Sequence, residues 1–175
     1  RMVLSAPLVR LADQQMKMPP SIARSLTEMM ALCGRSTALV PGGSSRSAQF
    51  DPFETNILTS DRERFLRATA VLDAAPDLAV GSPTIGWMRA CFRSMARLQA
   101  PDTPPSIRVP MLFVMAGDDQ VVSTTATEEF ALRTKLGSRV LIPSSRHEIL
   151  QETDEIRARF WAAFDAYLTT TAVAA

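Results

Sequence analysis

The most informative part of the sequence is Ile107-Arg-Val-Pro-Met-Leu-Phe-Val-Met-Ala-Gly-Asp-Asp-Gln-Val-Val122. Its apolar residues Met111–Ala116 stand between a proline and a glycine, which predicts a short strand bounded at both ends. Because this strand is continuously apolar rather than alternating, we expect it to be covered on both faces, as in a parallel sheet. Two carboxylates, Asp118 and Asp119, follow the strand directly.

Two further apolar segments, Met2–Pro7 and Arg139–Ile142, predict strands of the same kind. Between the second and third strands, Ser123–Leu136 has an apolar stripe typical of a helix, so strand, helix and strand form one βαβ unit. From Glu152 onward, apolar residues recur at every fourth position, which predicts a terminal amphipathic helix. These residues are Ile156, Phe160, Phe164 and Leu168.

The middle of the chain predicts helices rather than strands. Helical patterns cover residues 21–33, 61–75 and 84–100, and a Pro-rich linker then leads back to the sheet. Such a segment is too long to be an ordinary connection between two strands. We therefore expect a first strand and its exit over residues 1–11, an inserted helical subdomain with its linker over 12–105, and a βαβα part of the core over 106–175.

The composition excludes several classes of function. The 175 residues carry 19 Lys and Arg against 18 Asp and Glu, a formal net charge of +1, so we expect no nucleic-acid partner. No apolar run is long enough to cross a bilayer, so we expect no transmembrane segment. The two cysteines, Cys33 and Cys91, could form a single bridge, but we expect two buried free thiols.

The start of the sequence and its cysteine content bear on the extent of the natural chain and on its cellular compartment. The chain opens on Arg1, inside an apolar run, and from this we expect the natural protein to begin earlier. Few cysteines and no visible leader favour the cytoplasm.

The only histidine of the chain, His147, follows the third predicted strand, as Asp118 and Asp119 follow the second. Parallel strands place their carboxyl ends at one edge of the sheet, where α/β folds bind their ligands. A carboxylate that accepts a hydrogen bond from Nδ1 of an imidazole would leave Nε2 available as a general base. The sequence therefore predicts an acid–base pair at this edge.

Simpler interpretations of the same residues remain open at this point. A histidine in a loop is often solvated or caps a helix, and an Asp after a strand often caps the next helix. The sequence contains no Gly-x-Ser-x-Gly turn, which would present a nucleophilic serine. Gly42-Gly43-Ser44 has no preceding strand and predicts only a flexible turn. The chain therefore holds an acid and a base without a recognisable nucleophile.

Two stretches resemble the acid strand and the histidine loop of α/β-hydrolases, namely Ile107–Val122 and Ser145-Arg-His-Glu-Ile-Leu-Gln-Glu152. Within that superfamily the sequence is similar to the lysophospholipase and monoacylglycerol-lipase-like serine hydrolases. Three further segments match that group: Val3–Pro7, Asn56–Arg62 and Gly81–Trp87. The resemblance covers the whole chain and implies the C-terminal part of an α/β-hydrolase parallel sheet, with a helical cap inserted between strands.

The resemblance implies roles for individual residues. Asp119 is the implied triad acid, in preference to Asp118, because the acid of the family immediately precedes an x-Val-Val segment. His147 is the implied general base. Three charged residues nearby also match the group, and we expect them to order the histidine loop through charge-assisted hydrogen bonds: Arg146, Glu148 and Glu152.

The resemblance also implies what this sequence does not supply. The N-terminal half of the family, with its serine elbow, has no counterpart here, so we expect the serine to come from a missing half or from a partner chain that pairs with the strand of residues 2–6. The implied substrate is a lysophospholipid, a monoacylglycerol or a similar small lipid ester, hydrolysed without a metal or organic cofactor. The acyl chain is expected to contact four residues of the cap: Trp87, Met88, Phe92 and Met95.

One alternative belongs to another class. A domain without a nucleophile could keep the hydrolase shape and serve as a binding or assembly module, because function resides in the site rather than in the fold.

Overall fold

The computed structural model describes residues 1–15 and 18–169. The chain divides into two compact units, which we call the sheet unit (residues 1–15, 57–61 and 98–169) and the helical unit (residues 18–56 and 62–97). The sequence predicts a helical subdomain over 12–105. The helical unit is shorter than this, because residues 12–15, residues 57–61 and the residues from Leu98 onward belong to the sheet unit.

The sheet unit contains three parallel strands in the spatial order β1-β2-β3. They are β1 (Met2–Ser5), β2 (Met111–Ala116) and β3 (Gly137–Ile142). In the register of the sheet, Met2 pairs with Met111 and Ala116 with Ile142. The predicted α/β class with a parallel sheet is thus confirmed.

Six α-helices accompany these strands in the described part of the chain. They are α1 (Pro20–Leu32), α2 (Arg62–Ala74), α3 (Ile85–Gln99), α4 (Thr103–Ser106), α5 (Thr124–Arg133) and α6 (Asp154–Thr169). Short 3-10 helices cover Asp13–Gln15, Ala48–Phe50, Phe53–Thr55, Pro76–Leu78 and Ile149–Gln151. The helices α1, α2 and α3 match the predictions within one residue at each end. The helix α5 ends three residues before the predicted Leu136, because the backbone is already extended at Thr134.

The core of the sheet unit is built on β2, all of whose residues are buried. One face of the strand, which includes Leu112 and Val114, packs in a cluster with Phe160 of α6. The other face, with Phe113, packs against Phe130 of α5, and the two rings meet edge to face with centroids 5.8 Å apart. Alternate side chains of one strand thus enter two cores, which explains its continuously apolar sequence.

The prediction of coverage on both faces is wrong for the other two strands of the described sheet. Met2 of β1 is 42% exposed and Leu141 of β3 is 50% exposed. The physical reason is their position, because β1 and β3 lie on either side of β2 and each pairs with β2 alone among the described strands.

The helical unit packs its own small core and carries the two cysteines. Phe65 of α2 meets Phe53 edge to face, and Glu28 of α1 forms ion pairs with Arg89 and Arg93 of α3. Both thiols are free. Cys91 is half-buried, and burial raises its pKa. Cys33 is exposed, so its predicted burial is wrong, since the residue lies just beyond the last turn of α1.

Candidate active site

Two loops follow the carboxyl ends of neighbouring strands in the sheet unit. The acid turn (residues 117–122) follows β2, and the histidine loop (residues 143–152) follows β3. The backbone N–H of Asp118 donates to the carbonyl of Ser145 at 2.9 Å, so the two loops are hydrogen-bonded beyond the end of the sheet. The β2–β3 pairing therefore determines how close the two loops lie.

Asp119 is held rigidly within the acid turn. One of its carboxylate oxygens, Oδ1, accepts hydrogen bonds from the backbone N–H groups of Val121 at 2.8 Å and Val122 at 2.9 Å. Only 1% of the side chain is exposed. These bonds direct the second oxygen, Oδ2, towards the histidine loop. Asp118, in contrast, is exposed, so the two neighbouring acids differ clearly in their burial.

The electrostatics of Asp119 favour its ionised form. Burial by itself raises the pKa of this carboxyl, but the hydrogen bonds from His147 and from the two backbone N–H groups outweigh it. The pKa of Asp119 therefore lies below its ordinary value, and the group carries a negative charge at neutral pH.

His147 contacts the carboxylate of Asp119 directly. Its Nδ1 lies 2.9 Å from Oδ2 of Asp119, although 28 residues separate the two in sequence. An ionised carboxylate can only accept hydrogen bonds, so Nδ1 carries the proton and Nε2 has the lone pair in the neutral ring. Within residues 1–15 and 18–169, no group hydrogen-bonds Nε2, and 24% of the side chain is exposed. This arrangement can accept a proton from a neighbouring hydroxyl.

The histidine loop is also fixed from its other side, by a segment that we call the support segment (residues 57–61). The backbone N–H of Glu148 donates to the carbonyl of Leu58 at 2.8 Å. Nη1 of Arg146 donates to the carbonyl of Thr59 at 3.0 Å. The residues on both sides of His147 are thus bonded to the same short segment.

The role of the support segment was not predicted from the sequence. Asn56–Arg62 matches the lysophospholipase-like group, and the sequence interpretation assigns it to the helical cap. The structure instead packs residues 57–61 within the sheet unit, and Thr59 is buried there. The only signal in the sequence was the motif itself, because nothing local links it to a loop nearly ninety residues later.

Glu148 adjoins the histidine and has an unusual environment. Its side chain is half-buried, and burial raises its pKa, an effect that the electrostatic interaction with His147 partly opposes. Its backbone N–H is bonded to the support segment, so the main chain next to the histidine is fixed at this residue.

The four residues predicted to contact the acyl chain all lie on α3, in the helical unit. Phe92 and Met95 are buried, Met88 is half-buried, and Trp87 has 52% of its surface exposed. The substrate contacts of these residues stay a prediction.

The described residues contain no cluster of three or more His, Cys, Asp or Glu side chains that could hold a metal ion. None of the helices described is both long and apolar enough to cross a membrane.

A parallel sheet with an acid after one strand and a hydrogen-bonded histidine after the next defines the class of protein as an α/β-hydrolase. The sequence comparison agrees with this. The family model for serine aminopeptidase, S33, matches residues 1–154. The chain therefore belongs to this hydrolase family.

Curated relatives point to a lipase-like group within this family. The chain is 31% identical to lysophospholipase L2 of Escherichia coli K12 over 114 residues, which cover 61% of this chain and 33% of that protein. It is 25% identical to a probable lysophospholipase L2 of Haemophilus influenzae over 115 residues, covering 66% of this chain and 36% of the relative. The matched region thus spans about a third of the length of these relatives.

Solved structures show the same fold. A soluble variant of monoglyceride lipase from Saccharomyces cerevisiae, in complex with a substrate analog, superposes with a TM-score of 0.70 at 16% identity. The match covers 96% of this chain and 55% of the lipase. The monoacylglycerol lipase of Paleococcus ferrophilus gives a TM-score of 0.67 at 18% identity, covering 96% of this chain and 58% of that one. The predicted resemblance to lysophospholipase and monoacylglycerol-lipase-like hydrolases is confirmed.

Proposed function

We propose that this chain supplies the acid and the base of a serine carboxylic-ester hydrolase. Asp119 is the triad acid, His147 is the general base, and the nucleophilic serine comes from outside these 175 residues. The observation that carries the proposal is the 2.9 Å contact between Nδ1 of His147 and Oδ2 of Asp119 at the ends of adjacent strands.

The chemistry follows from the charges and tautomers of the pair. Nε2 of His147 takes the proton of the serine as its oxygen attacks the acyl carbonyl, and the ionised Asp119 stabilises the imidazolium that forms. The imidazolium then returns the proton to the departing alcohol, which leaves an acyl-enzyme. Water then attacks the acyl-enzyme as the same Nε2 takes its proton, and the imidazolium passes that proton to the departing serine oxygen, which releases the fatty acid and restores the serine.

The proposed substrate is a lipid with a single acyl chain, such as a lysophospholipid or a monoacylglycerol. The names of the curated relatives and of the structural neighbours support this class. Trp87, Met88, Phe92 and Met95 are the proposed contacts of the acyl chain. No cofactor takes part in the proposed reaction.

The serine is proposed to lie elsewhere for two reasons. The sequence has no Gly-x-Ser-x-Gly turn, and the matched region covers only 33% to 36% of the curated relatives. An N-terminal hydrolase half, or a partner chain that pairs with β1, would supply it.

The test uses the intact protein that carries this sequence and a fluorophosphonate probe, which reacts with activated serines. We expect labelling of one serine outside residues 1–175, and hydrolysis of a monoacylglycerol or a lysophospholipid. In the His147→Ala variant both should be lost. Labelling at the wild-type rate in that variant would remove His147 from the mechanism.

The absence of a recognisable nucleophile favours one alternative, a binding or assembly module with the hydrolase shape. It predicts no probe labelling and no ester hydrolysis by the intact protein, so the same experiment distinguishes the two functions.

A further inference from the structure

Glu152 is a fully buried carboxylate at the end of the histidine loop, with 0% of its surface exposed. It follows the 3-10 helix Ile149–Gln151 and lies five positions after His147. A buried charge is unfavourable unless hydrogen bonds compensate it, so a buried glutamate outside the acid–base pair needs a physical explanation.

The hydrogen bonds of Glu152 reach two separate segments. Oε1 accepts from the backbone N–H of Arg146 at 2.7 Å, next to the histidine. Oε2 accepts from the backbone N–H of Ser60 at 3.0 Å and also from the hydroxyl of Ser60. One side chain thus joins the start of the histidine loop to the support segment.

Other bonds surround this bridge. Thr59 donates its hydroxyl to the carbonyl of Gln151 at 2.7 Å, one residue before Glu152. Nη1 of Arg146 donates to the carbonyl of Thr59, as described above. The support segment is therefore bonded to both ends of the turn that carries His147, and the carboxylate of Glu152 is part of this network.

We propose that Glu152 is a positioning residue for the general base. It accepts no bond from the imidazole, so it acts through the backbone. By fixing the N–H of Arg146, it keeps His147 where Nδ1 reaches Oδ2 of Asp119. This inference rests on the proposed function, because it gives Glu152 a part in the same reaction.

The distances make the site sensitive to this bridge. A displacement of the imidazole by about 1 Å would break the 2.9 Å bond to Asp119 and misdirect Nε2, and misplacements of that size can lower rates by about 100-fold. In Glu152→Gln the side chain keeps its shape but has only one acceptor oxygen in place of two. Either Arg146 or Ser60 then faces an amide donor in place of an acceptor.

The experiment compares three variants of the intact protein. In Glu152→Gln we expect kcat for a monoacylglycerol to fall between about 10- and 100-fold, with little change in KM. Ser60→Ala removes one donor from the same carboxylate, so a smaller fall of kcat is expected. Glu155→Gln is the matched control, because Glu155 is exposed on α6 and, within the described residues, forms an ion pair with Arg159 alone; its kcat should be unchanged.

A second measurement does not depend on catalysis. The proton on Nδ1 of His147, bonded to Asp119, should give a downfield NMR signal, assigned by its loss in His147→Ala. We expect this signal to broaden through faster exchange in Glu152→Gln and to stay sharp in Glu155→Gln. If the wild-type protein neither labels nor hydrolyses esters, the proposed function fails, and the NMR signal still tests the position of His147.

Two outcomes would overturn the proposal. The first is a folded Glu152→Gln protein, by circular dichroism, with the wild-type kcat and a sharp Nδ1 signal. If Glu152→Gln does not fold, Ser60→Ala takes its place. The second outcome is then a folded Ser60→Ala protein whose kcat and Nδ1 signal match those of the wild type. Either result would show that Glu152 contributes to stability alone.

Discussion

The backbone N–H of Gly117 donates to the carbonyl of Ile142 at 3.0 Å, one residue beyond the last pair of β2 and β3. This bond extends the hydrogen-bond ladder of β2 and β3 to the start of the loops that contain Asp119 and His147. A Cβ atom at position 117 would lie 3.1 Å from the carbonyl oxygen of Ile142 and 3.1 Å from Cα of Pro143. The lack of a side chain at Gly117 therefore allows the acid turn to lie close to the histidine loop.

The first prediction follows from this close approach. Gly117→Ala places a methyl group against backbone atoms that cannot move freely, and overpacking of this kind costs about 1–3 kcal/mol. We expect the free energy of unfolding, measured with urea, to fall by that amount and esterase activity to fall with it. An unchanged unfolding midpoint and unchanged activity would show that the loops tolerate a wider separation.

The second prediction concerns the choice between adjacent acids. Asp119→Asn puts an amide NH₂ group opposite Nδ1, which favours the wrong tautomer of His147, so kcat should fall by about 10⁴-fold. Asp118→Asn is the matched control, because that side chain is exposed, and its kcat should stay near the wild-type value. Steady-state hydrolysis of a monoacylglycerol measures both. A large loss in the control with little loss in Asp119→Asn would reverse the assignment.

The third prediction is the pH dependence of stability. The pKa of Asp119 is lower in the folded chain, so its stabilising effect is fully present above the unfolded value of about 3.9. The effect is lost as the pH falls through the lower folded pKa. The difference in unfolding free energy between the wild type and Asp119→Asn should therefore be constant near neutrality and shrink below about pH 4.

A pH series of urea denaturations measures this difference. Glu148, whose pKa burial raises, has the opposite dependence, but it is present in both proteins and cancels to first order in the difference. A difference that grows as the pH falls would contradict the lowered pKa of Asp119.

The fourth prediction tests the proposed acyl-chain contacts. Trp87 is half exposed, so Trp87→Ala should leave the fold intact and remove apolar contact with a long acyl chain. We expect kcat/KM for a long-chain ester to fall roughly 5- to 30-fold, which corresponds to a loss of about one to two kcal/mol in transition-state binding free energy. The value for a short-chain ester should change little. The other tryptophan, Trp161 on α6, gives the control variant Trp161→Ala. Equal losses for both ester lengths would argue against an acyl-chain contact.

The local patterns of the sequence were sufficient to predict most of the elements. Continuous apolarity predicted β2 to the residue, and helical stripes predicted α1, α2 and α3 within one residue at each end. The order of strands and helices along the chain also predicted that Asp119 and His147 would follow adjacent parallel strands. These predictions succeeded because periodicity and turn residues act over a few positions, and parallel strands always place their carboxyl ends at the same edge.

Contacts between distant segments could not be predicted in this way. Nothing near Ser60 indicates that it bonds to Glu152, 92 residues later, and nothing near Cys33 indicates that its thiol is exposed. The exposure of β1 and β3 depends on which strand occupies the centre of the sheet, and the support segment joins the sheet unit rather than the helical one. Such features depend on long-range packing, in which each residue's partners come from elsewhere in the chain. Sequence patterns therefore predicted Asp119 and His147 as an acid–base pair, and the tertiary structure shows which distant residues hydrogen-bond the loop that carries the histidine.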